Sequence, residues 1–532
     1  MVKMSKTKKV IDIIILIGAL FLLVNWTGIK DKLESGYMSA RTINADSLNA
    51  LLLGLEETQE KPELSFNGHS LAYDAPSELY YAAQNMENGM WDGMFTCEDG
   101  RLYWQEDDYF ERYEQAIAEG HIFTLYCVDR HAGWYGVYRI VFTGMPMIDI
   151  ATQTGAPIGD DVQTAQVQIW DMKFTGSEYQ STACEVSVRG QGSRNFEKQG
   201  YKLALEHKLP LLGMRRDDDW LLGALYDDDG LIHNKMSYDV WNAIASDNAV
   251  AKDNGTNLEY VELFCNNTYM GVYSLMERID DKQIPLEKND IMYKCRGFVT
   301  PDETIEEDFG LGVDYDIKYP KSYDRDTWIP LKNYLDIFAA DGVKDYDAAR
   351  ALLDMENAID YNIFIILTRA CDNYNRKNTF FVADYDQISG TYKMIKVPWD
   401  CNATWGNGLY KGNLSRKLYN ASWANCAWVW SEDIKSMYQC YPDEIQEVTL
   451  TRWKQLRQDV LSRERLFQML DENFTYLHNS GAYDRNYVRW DEHGREHWED
   501  EYIYEYIDNR LRFLDAYFEE PYFDKEPLSE EE

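Results

Sequence analysis

The chain has 532 residues and a formal net charge of −38, with 91 acidic side chains against 53 Lys and Arg. This charge argues against broad nucleic-acid binding, because most of the surface would repel a phosphate backbone. The hydrophobic fraction of 45% and the aromatic fraction of 14% exclude a disordered chain and indicate a globular protein with several domains or one large core with insertions.

The N-terminus predicts a membrane anchor over residues 1–29. Four Lys in MVKMSKTKK precede an apolar stretch at 10–26 that is interrupted by Asp12 and Asn25. The stretch is long enough for one spanning helix, which needs roughly 17–25 residues. The Lys cluster favours an N-terminus on the inside, which leaves the bulk of this single-pass protein on the extracytoplasmic side. A cleaved signal peptide is the weaker alternative, because no A-x-A site closes the apolar stretch.

The next segments predict a linker and an accessory segment. Residues 30–63 are polar and rich in Glu and Lys, which is typical of a stalk or linker, with one short helical pattern in ADSLNALLLGLEE. Residues 64–138 predict an accessory α+β segment. Within it, DDYFERYEQAIAEG predicts a helix that stops at Gly120, and HIFTLYCVD predicts a strand.

Residues 139–284 predict a sheet-rich lobe with one embedded helix. Strand patterns occur in GVYRIVFTG, AQVQIWDMKF, CEVSVRG and YKLALEH. The stretch DDDGLIHNKMSYDVWNAIAS then has apolar residues at helical spacing. LEYVELFCNNTYMGVYSLMERID predicts a β-hairpin that turns at Asn266 and Asn267.

Residues 285–520 predict a helical lobe, which begins with a polar loop at 285–325. MENAIDYNIFIILTRA predicts a helix, and one hairpin, NTFFVADYDQISGTYKMIKVPWD, interrupts the helical part with Gly390 in its turn. An acidic tail follows at 521–532. A sheet-rich half before a helical half is the order of a two-lobed phosphotransferase. The predicted fold class is therefore α+β, with a protein-kinase-like arrangement of a sheet-rich N-lobe and a helical C-lobe.

The nine Cys lie at irregular spacings, with no CxxC pair and no Cys/His cluster. This pattern argues against a structural zinc site, and the odd number gives no evidence for a full disulfide framework. We expect buried free thiols.

A loop in EVSVRGQGSRNFEKQGYKLAL predicts a phosphate-binding site. Glycines let backbone N–H groups approach phosphate oxygens, and basic side chains balance the charge. The loop and the strand ends around it hold the candidates Arg189, Gly190, Gly192, Ser193, Arg194, Lys198 and Gly200. An ordinary long hairpin loop is the alternative. Lys202 on the next strand would pair with phosphates if it projects into a cleft, whereas a strand Lys usually faces solvent.

Two further groups are candidates. Glu277 ends an apolar strand before a polar segment, which is typical of a hinge whose backbone binds a purine edge; a structural pairing of Glu277 is an equal alternative. Asp372 follows a helix, Asn378 begins a strand, and Asp400 follows the strand that pairs with it. Because a hairpin folds back, we expect Asn378 and Asp400 to meet at one metal position with Asp372 close by, as phosphoryl transfer requires. Turn caps are the alternative role for the two Asp.

These segments resemble the spore-coat protein H (CotH) kinase family of atypical, protein-kinase-like enzymes. The matching segments span about 140–410 and include VRGQGSRNFEKQGYKLAL, DDWLLGALYDDDGLIHNKMSYDVWNAI, CDNYNRKNTFFV and VPWDCNATWG. The resemblance implies ATP with Mg²⁺ or Mn²⁺ and transfer of phosphate to Ser/Thr hydroxyls of proteins. It assigns Asp372 as the base-like residue, Asn378 and Asp400 as metal ligands, Lys202 as the phosphate lysine, and Arg189 and Ser193 to the phosphate loop.

The chain departs from the family pattern at three places. The second acid of the usual WDxD is Asn402, which keeps an oxygen ligand but not the charge. The usual spacing of five residues before Asn378 would select Asn373 instead of Asp372, and the usual Arg-Asn of the embedded helix is His233-Asn234. The alternative hypothesis is therefore a catalytically silent envelope scaffold. An extracytoplasmic catalytic region would also lie where ATP is scarce.

Overall fold

A computed structural model describes residues 38–521 except 87–90, 92, 106–109, 111, 172–178, 229, 249–253, 298–307, 339–342, 374–375, 408–428 and 491–500. The predicted anchor at 1–29 and residues 522–532 of the predicted acidic tail lie outside the described residues. Among the helices that are described, none combines the length and apolar character needed to cross a bilayer.

The N-terminal region forms two sheets, which we call the N-terminal sheets. Its helices are α1 (Ala45–Leu52) and α2 (Tyr113–Ala118). Its strands are β1 (Arg41–Ile43), β2 (Glu56–Glu57), β3 (Leu64–Phe66), β4 (His69–Ser70), β5 (Ala72–Asp74), β6 (Leu79–Ala83), β7 (Phe95–Cys97), β8 (Arg101–Gln105), β9 (Ile122–Asp129) and β10 (Trp134–Thr143). The larger sheet has the order β1-β8-β9-β10-β6-β5, with β2 also on β10, and the small sheet has the order β4-β3-β7. The predicted helix before Gly120 and the strand after it are confirmed.

The next strands close into a barrel in the order β11-β12-β13-β14-β15-β17-β16. They are β11 (Met147–Thr152), β12 (Gln163–Trp170), β13 (Tyr179–Arg189), β14 (Gly200–Pro210), β15 (Arg216–Gly223), β16 (Leu258–Cys265) and β17 (Tyr269–Glu277). A 3₁₀ turn, Gly192–Asn195, lies between β13 and β14, and helix α3 (His233–Ser246) lies between β15 and β16. Buried apolar side chains at alternate positions fill the barrel, among them Val186, Val188, Leu203, Trp220, Leu222, Leu263 and Leu275.

The predicted hairpin at 258–284 is confirmed by the antiparallel pairing of β16 and β17. Asn266 and Asn267 both have left-handed backbones, with φ of 49° and 58°. Two consecutive residues with positive φ are what a type I′ hairpin turn requires, and Asn tolerates this conformation better than most residues. The embedded helix is also confirmed as α3.

The C-terminal half combines a second sheet with helices. The sheet, which we call the C-terminal sheet, has the order β19-β18-β20-β21. Its strands are β18 (Ile291–Cys295), β19 (Tyr315–Tyr319), β20 (Thr379–Asp386) and β21 (Thr391–Pro398). The helices are α4 (Ile329–Ile337), α5 (Tyr346–Ala351), α6 (Met355–Thr368), α7 (Glu432–Cys440), α8 (Pro442–Leu456), α9 (Arg463–Asn479), α10 (Ala482–Trp490) and α11 (Glu501–Tyr517), with 3₁₀ turns at Leu311–Val313 and Arg325–Trp328. The α+β class is thus confirmed.

The predicted polar loop at 285–325 is wrong in part, because β18 and β19 lie inside it. Each strand has five residues, and β18 pairs with β20, which lies more than eighty residues later in the chain. Such short strands have too few alternating positions to stand out in a sequence that is otherwise polar. Helix α6 packs behind this sheet with nearly every side chain buried, so the largest hydrophobic core lies between the C-terminal sheet and the helices.

Candidate active site

A cleft of about 770 Å³ lies between the barrel and the C-terminal sheet. This volume is in the range of pockets that hold small ligands and cofactors, about 300–1,000 Å³. Its walls come from the β13–β14 loop, the turn before α3, strand β18 and both ends of the β20–β21 hairpin. The cleft brings together these predicted site residues: Arg189, Gly190, Ser193, Asp372, Asn378, Asp400 and Asn402.

The ends of the predicted hairpin meet, as expected. The β20–β21 ladder ends with Thr379 opposite Pro398, and the N–H of Trp399 donates to the carbonyl of Asn378 at 2.9 Å. Immediately outside this ladder, Asn378 and Asp400 have φ of 53° and 57°. The left-handed backbone is uncommon for residues other than Gly, and Asn and Asp tolerate it best. The two residues therefore leave the sheet at the same point, on the wall of the cleft.

Asp372 is a buried carboxylate of the site, with 9% of its surface exposed. Its Oδ1 lies 2.5 Å from Nζ of Lys377, and its Oδ2 accepts a hydrogen bond of 2.7 Å from Nδ2 of Asn378. Burial raises the pKa of Asp372 above the ordinary value for Asp, the Lys377 ammonium opposes this shift, and the charge of Asp400 adds to it. Lys377 and Asn378 thus fix both oxygens of Asp372 in the cleft.

Asn373, the next residue, does not line the cleft. Its side chain is buried, and its Nδ2 donates to the carbonyls of Trp399 at 2.7 Å and of Asn378 at 3.2 Å. These bonds tie the two ends of the hairpin together. The cleft is therefore lined by Asp372, and Asn373 serves to hold the strand ends at their separation.

Helix α3 and the turn before it hold the segment that carries Asp400. The N–H of Asp400 donates to Oη of Tyr238 at 3.1 Å, and the N–H of Cys401 donates to Oδ1 of Asn234 at 3.1 Å. Asn402 donates from Nδ2 to Asp227 at 2.8 Å, which leaves its amide oxygen for other partners. The Asp400 side chain is exposed in the cleft, and none of the described residues donates a hydrogen bond to its carboxylate.

The phosphate-loop candidates Arg189, Gly190 and Ser193 also line the cleft. Gly190 has a φ of 110°, and a Cβ at this position would collide with Oγ of Ser193. Glycine is therefore required for Ser193 to lie against the backbone. The Arg189 guanidinium lies 5.9 Å from the ring centre of Trp399. Burial lowers the pKa of Arg189, and the nearby Asp400 opposes this shift.

Besides Arg194, the structure does not bring three of the predicted residues to the cleft. Lys198 is buried, and its Nζ donates to the carbonyl of Val272 at 2.6 Å and to Oδ1 of Asn486 at 2.8 Å. Lys202 lies on the outer face of the barrel with 47% of its side chain exposed, 3.9 Å from Asp219. Its neighbours in the strand, Tyr201 and Leu203, point into the barrel core.

Glu277 is the third of these residues. Its carboxylate accepts hydrogen bonds from the N–H of Arg215 at 2.9 Å and from Nδ2 of Asn257 at 2.7 Å. Its backbone is also engaged, because its N–H donates to the carbonyl of Asn257 and its carbonyl accepts from Oγ1 of Thr256. Of the two alternatives, Glu277 therefore has the structural pairing, and its backbone is not available to a purine.

Lys294 on β18 is among the cationic residues of the cleft that the sequence did not predict. It lines the cleft, with its Nζ 5.1 Å from the ring centre of Phe380 and 5.2 Å from that of Trp399. Burial lowers the pKa of Lys294 to about 8, and the charge of Asp400 opposes this shift. No motif marks Lys294 in the sequence, because its strand lies in the segment for which the sequence predicts a polar loop.

The donor set of the cleft fits a hard divalent cation. The carboxylates of Asp372 and Asp400 and the amide oxygens of Asn378 and Asn402 are oxygen ligands, which Mg²⁺ and Mn²⁺ prefer. Within the described ranges, no group of three or more His, Cys, Asp or Glu is arranged to hold a metal by itself. Mg²⁺ usually binds through one or two carboxylates together with the phosphates of a substrate, so this set is sufficient for a metal–nucleotide complex.

Comparison with known proteins agrees with this chemistry. No curated protein matches the chain. The model of the family described as CotH kinase protein matches residues 186–514, which is more than half of the chain and includes the cleft residues from both walls. The chain therefore belongs to the CotH kinase family.

Proposed function

We propose that this protein is an ATP-dependent, kinase-like phosphotransferase that moves the γ-phosphate to Ser or Thr hydroxyls of surface or spore-coat-type proteins. One observation carries the proposal: a single cleft is lined by cations, among them Arg189 and Lys294, and by carboxylates, among them Asp372 and Asp400. Phosphoryl transfer depends mainly on positioning and on charge, and it needs both signs of charge in one place. A two-lobed kinase-like arrangement, with the cleft between the barrel and the helical half, is part of this proposal.

The phosphates of ATP would bind on the cationic side of the cleft. Arg189 and Lys294 both lie over Trp399, and the charge of Asp400 lies close enough to affect the pKa of each of them. The backbone around Gly190 and the hydroxyl of Ser193 add hydrogen-bonding groups next to Arg189. This assignment replaces Lys202 with Lys294 as the phosphate lysine.

Asp372 would accept the proton of the substrate hydroxyl. As the hydroxyl oxygen bonds to the γ-phosphorus, the bond to the bridging oxygen of ADP breaks and the proton passes to a carboxylate oxygen of Asp372. The raised pKa of Asp372 makes it a better base than an exposed Asp. Lys377 and Asn378 orient it, and a substrate hydroxyl would take the place of one of their contacts.

Asp400, Asn378 and Asn402 would hold the divalent cation, with the phosphates as its remaining ligands. The cation supplies charge neutralisation of the phosphate oxygens when it is bound. Asp400 is the strongest candidate, because its carboxylate accepts no hydrogen bond from the described residues and is exposed in the cleft.

Phosphate incorporation tests the proposal. The full-length chain in detergent is incubated with labelled ATP, Mg²⁺ or Mn²⁺ and a Ser/Thr-rich protein acceptor. We expect metal-dependent incorporation, with the label on Ser or Thr, that Asp400→Ala abolishes. Asp347→Asn on α5, an exposed Asp outside the cleft, serves as the matched control and should retain activity. Incorporation that Asp400→Ala leaves unchanged would contradict the proposal.

A catalytically silent scaffold is the second candidate, and two observations favour it. Asn402 stands where the family has an acid, and both oxygens of Asp372 already have partners. ATP binding separates the two candidates, since saturating ligand at about one hundred times Kd stabilises a binder by about 2.7 kcal/mol. Metal-dependent stabilisation without incorporation would favour the scaffold.

We propose that the protein acts outside the cytoplasm, anchored by residues 1–29. The family name links its members to the spore coat, and the Lys cluster before the apolar stretch favours this orientation. Protease digestion of intact cells tests the orientation: an extracytoplasmic chain is cut, whereas a cytoplasmic one is cut only after lysis.

A further inference from the structure

Two cysteines, one in each of the N-terminal sheets, have their sulfur atoms close together. Cys97 is the last residue of β7 in the small sheet, and Cys127 lies in β9 of the larger sheet. Strand β7 pairs with β3, whereas β9 pairs with β8 and β10, so no backbone ladder joins the two strands. Their Sγ atoms are nevertheless 2.8 Å apart.

This distance is too short for two thiols at rest. Non-bonded carbon atoms stay about 3.5–4.0 Å apart, and sulfur is larger than carbon. A disulfide bond is about 2.05 Å long, so a small movement of either side chain would complete it. We propose that Cys97 and Cys127 form an intramolecular disulfide that ties β7 of the small sheet to β9 of the larger sheet.

The surroundings of the pair support this bond. Cys127 is fully buried, and a Cβ at Gly100 would collide with its Sγ, so the turn between β7 and β8 leaves room for the sulfur because residue 100 is glycine. Among the described cysteines, Cys97 and Cys127 are the ones whose sulfurs contact each other. Cys426 lies outside the described residues.

The bond can form by thiol–disulfide exchange with a small oxidised disulfide such as oxidised glutathione. Cys97 is the accessible partner, and the hydrogen bond from the Cys127 thiol lowers the pKa of Cys97 to about 7. The Cys97 thiolate attacks one sulfur of the small disulfide and releases one small thiol. The Cys127 sulfur then attacks the mixed disulfide at Cys97, its proton passes to the leaving sulfur, and a second small thiol is released. The protein pair is oxidised by two electrons, and the small disulfide is reduced by two.

The bond would close a long loop in a region with short strands. Cys97 and Cys127 are 30 positions apart, and the segment between them includes β8 and α2. Closing such a loop restricts the unfolded chain, which is the usual way in which a disulfide stabilises a protein. The small sheet gains most, because β7 has only three residues on its ladder with β3.

Thiol titration in denaturant tests the proposal on the full-length protein, purified without reductant and equilibrated with oxidised glutathione. The chain has nine Cys, so we expect seven free thiols, and nine after treatment with dithiothreitol. Cys97→Ser and Cys127→Ser should each show eight, because the partner cysteine is set free. Cys440→Ser, the matched control at an exposed cysteine, should show six.

Nine free thiols in the oxidised wild type would overturn the proposal. Seven in the wild type with six in Cys97→Ser would also overturn it, because another pair would then carry the bond. Peptide mapping of the wild type under non-reducing conditions does not depend on how the variants fold. It should yield one linked peptide that holds Cys97 and Cys127, about two daltons lighter than the sum of the two thiol peptides. The absence of that peptide would contradict the proposal.

Discussion

The acidic and cationic sides of the cleft are built in different ways. On the acidic side, Asp372, Asn378 and Asp400 belong to one stretch of chain, and Asn373 ties the ends of its hairpin together. On the cationic side, Arg189 comes from the barrel and Lys294 from the C-terminal sheet, and they meet over the ring of Trp399. The acidic side thus follows from a local chain reversal, whereas the cationic side exists only when the barrel has docked on the sheet. The two sides should respond differently to substitution.

The largest expected effect is on the acidic side. Asp372→Asn removes the proposed proton acceptor but retains the shape of the side chain, so we expect phosphate incorporation to fall about 10²–10⁴-fold. Thermal stabilisation by ATP with Mg²⁺ should remain, because Asp400, Arg189 and Lys294 are intact. The two readouts are labelled incorporation and the shift in melting temperature on addition of nucleotide.

The same variant also decides between Asp372 and its neighbour. Adding Asn373→Asp to Asp372→Asn should not restore incorporation, because residue 373 is buried and holds the hairpin ends. Recovery of turnover in the double variant would transfer the role of base to position 373. Equal turnover of Asp372→Asn and wild type would remove Asp372 from the mechanism.

The next effect compares two lysines. Lys294→Ala should weaken ATP binding roughly 10- to 150-fold, which corresponds to the loss of one charged hydrogen bond of about 1.5–3 kcal/mol. Lys202→Ala should change the Kd less than about twofold, because Lys202 is on the outer face of the barrel and its contact with Asp219 is a surface pair. Isothermal titration calorimetry with ATP and Mg²⁺ measures both.

A larger loss of ATP binding in Lys202→Ala than in Lys294→Ala would contradict the assignment of Lys294 as the phosphate lysine. If Lys202→Ala abolished binding while Lys294→Ala did not, the resemblance-based assignment of Lys202 would stand and the barrel would have to rearrange when nucleotide binds. Equal and large effects would mean that both reach the phosphates.

Much of the acidic side could be predicted from the sequence because its contacting residues are close together along the chain. The β20–β21 hairpin has two eight-residue strands and a turn at Gly390, so its ends had to meet wherever the hairpin packed. The placement of Asp372 and not Asn373 in the cleft could not be predicted in this way. It depends on which side chain reaches the carbonyl of Trp399, a contact between residues 26 positions apart in the chain.

The cationic side depends on contacts that a single sequence does not reveal. The alternation along β14 correctly predicts that Tyr201 and Leu203 point into the barrel and that Lys202 points outward. It does not show whether an outward-pointing residue lies in the cleft or in solvent. Lys198 was expected at the phosphate loop, yet its partner Asn486 lies 288 positions away on α10. Lys294 becomes a cleft residue only through the pairing of β18 with β20. In each case, tertiary packing decides between options that local patterns leave open.

A substitution of Lys198 tests whether this residue has a structural role or binds phosphate. Lys198→Met keeps the length of the side chain but removes the ammonium that donates to the carbonyl of Val272 and to Oδ1 of Asn486, which leaves Asn486 Oδ1 with the N–H of Val272 as its donor. We expect a loss of about 1–3 kcal/mol in the free energy of unfolding, measured by urea denaturation, with a Kd for ATP within about twofold of wild type. A weakened Kd at unchanged stability would instead return Lys198 to the phosphate site.

The smallest expected effect is the pH dependence of ATP binding, which tests the role of Lys294 on the cationic side. The pKa of Lys294 is lowered to about 8, so its ammonium is present below pH 8 and is lost as the pH rises through that value. Between pH 7.5 and 9 the charged fraction falls roughly fivefold to tenfold, and we expect the association constant for ATP to fall by a similar factor. Lys294→Arg keeps its charge over this range, so its affinity should stay constant where that of the wild type declines. A decline of the same size in Lys294→Arg would show that a group other than Lys294 titrates over this pH range, and the pH dependence would then not report on Lys294.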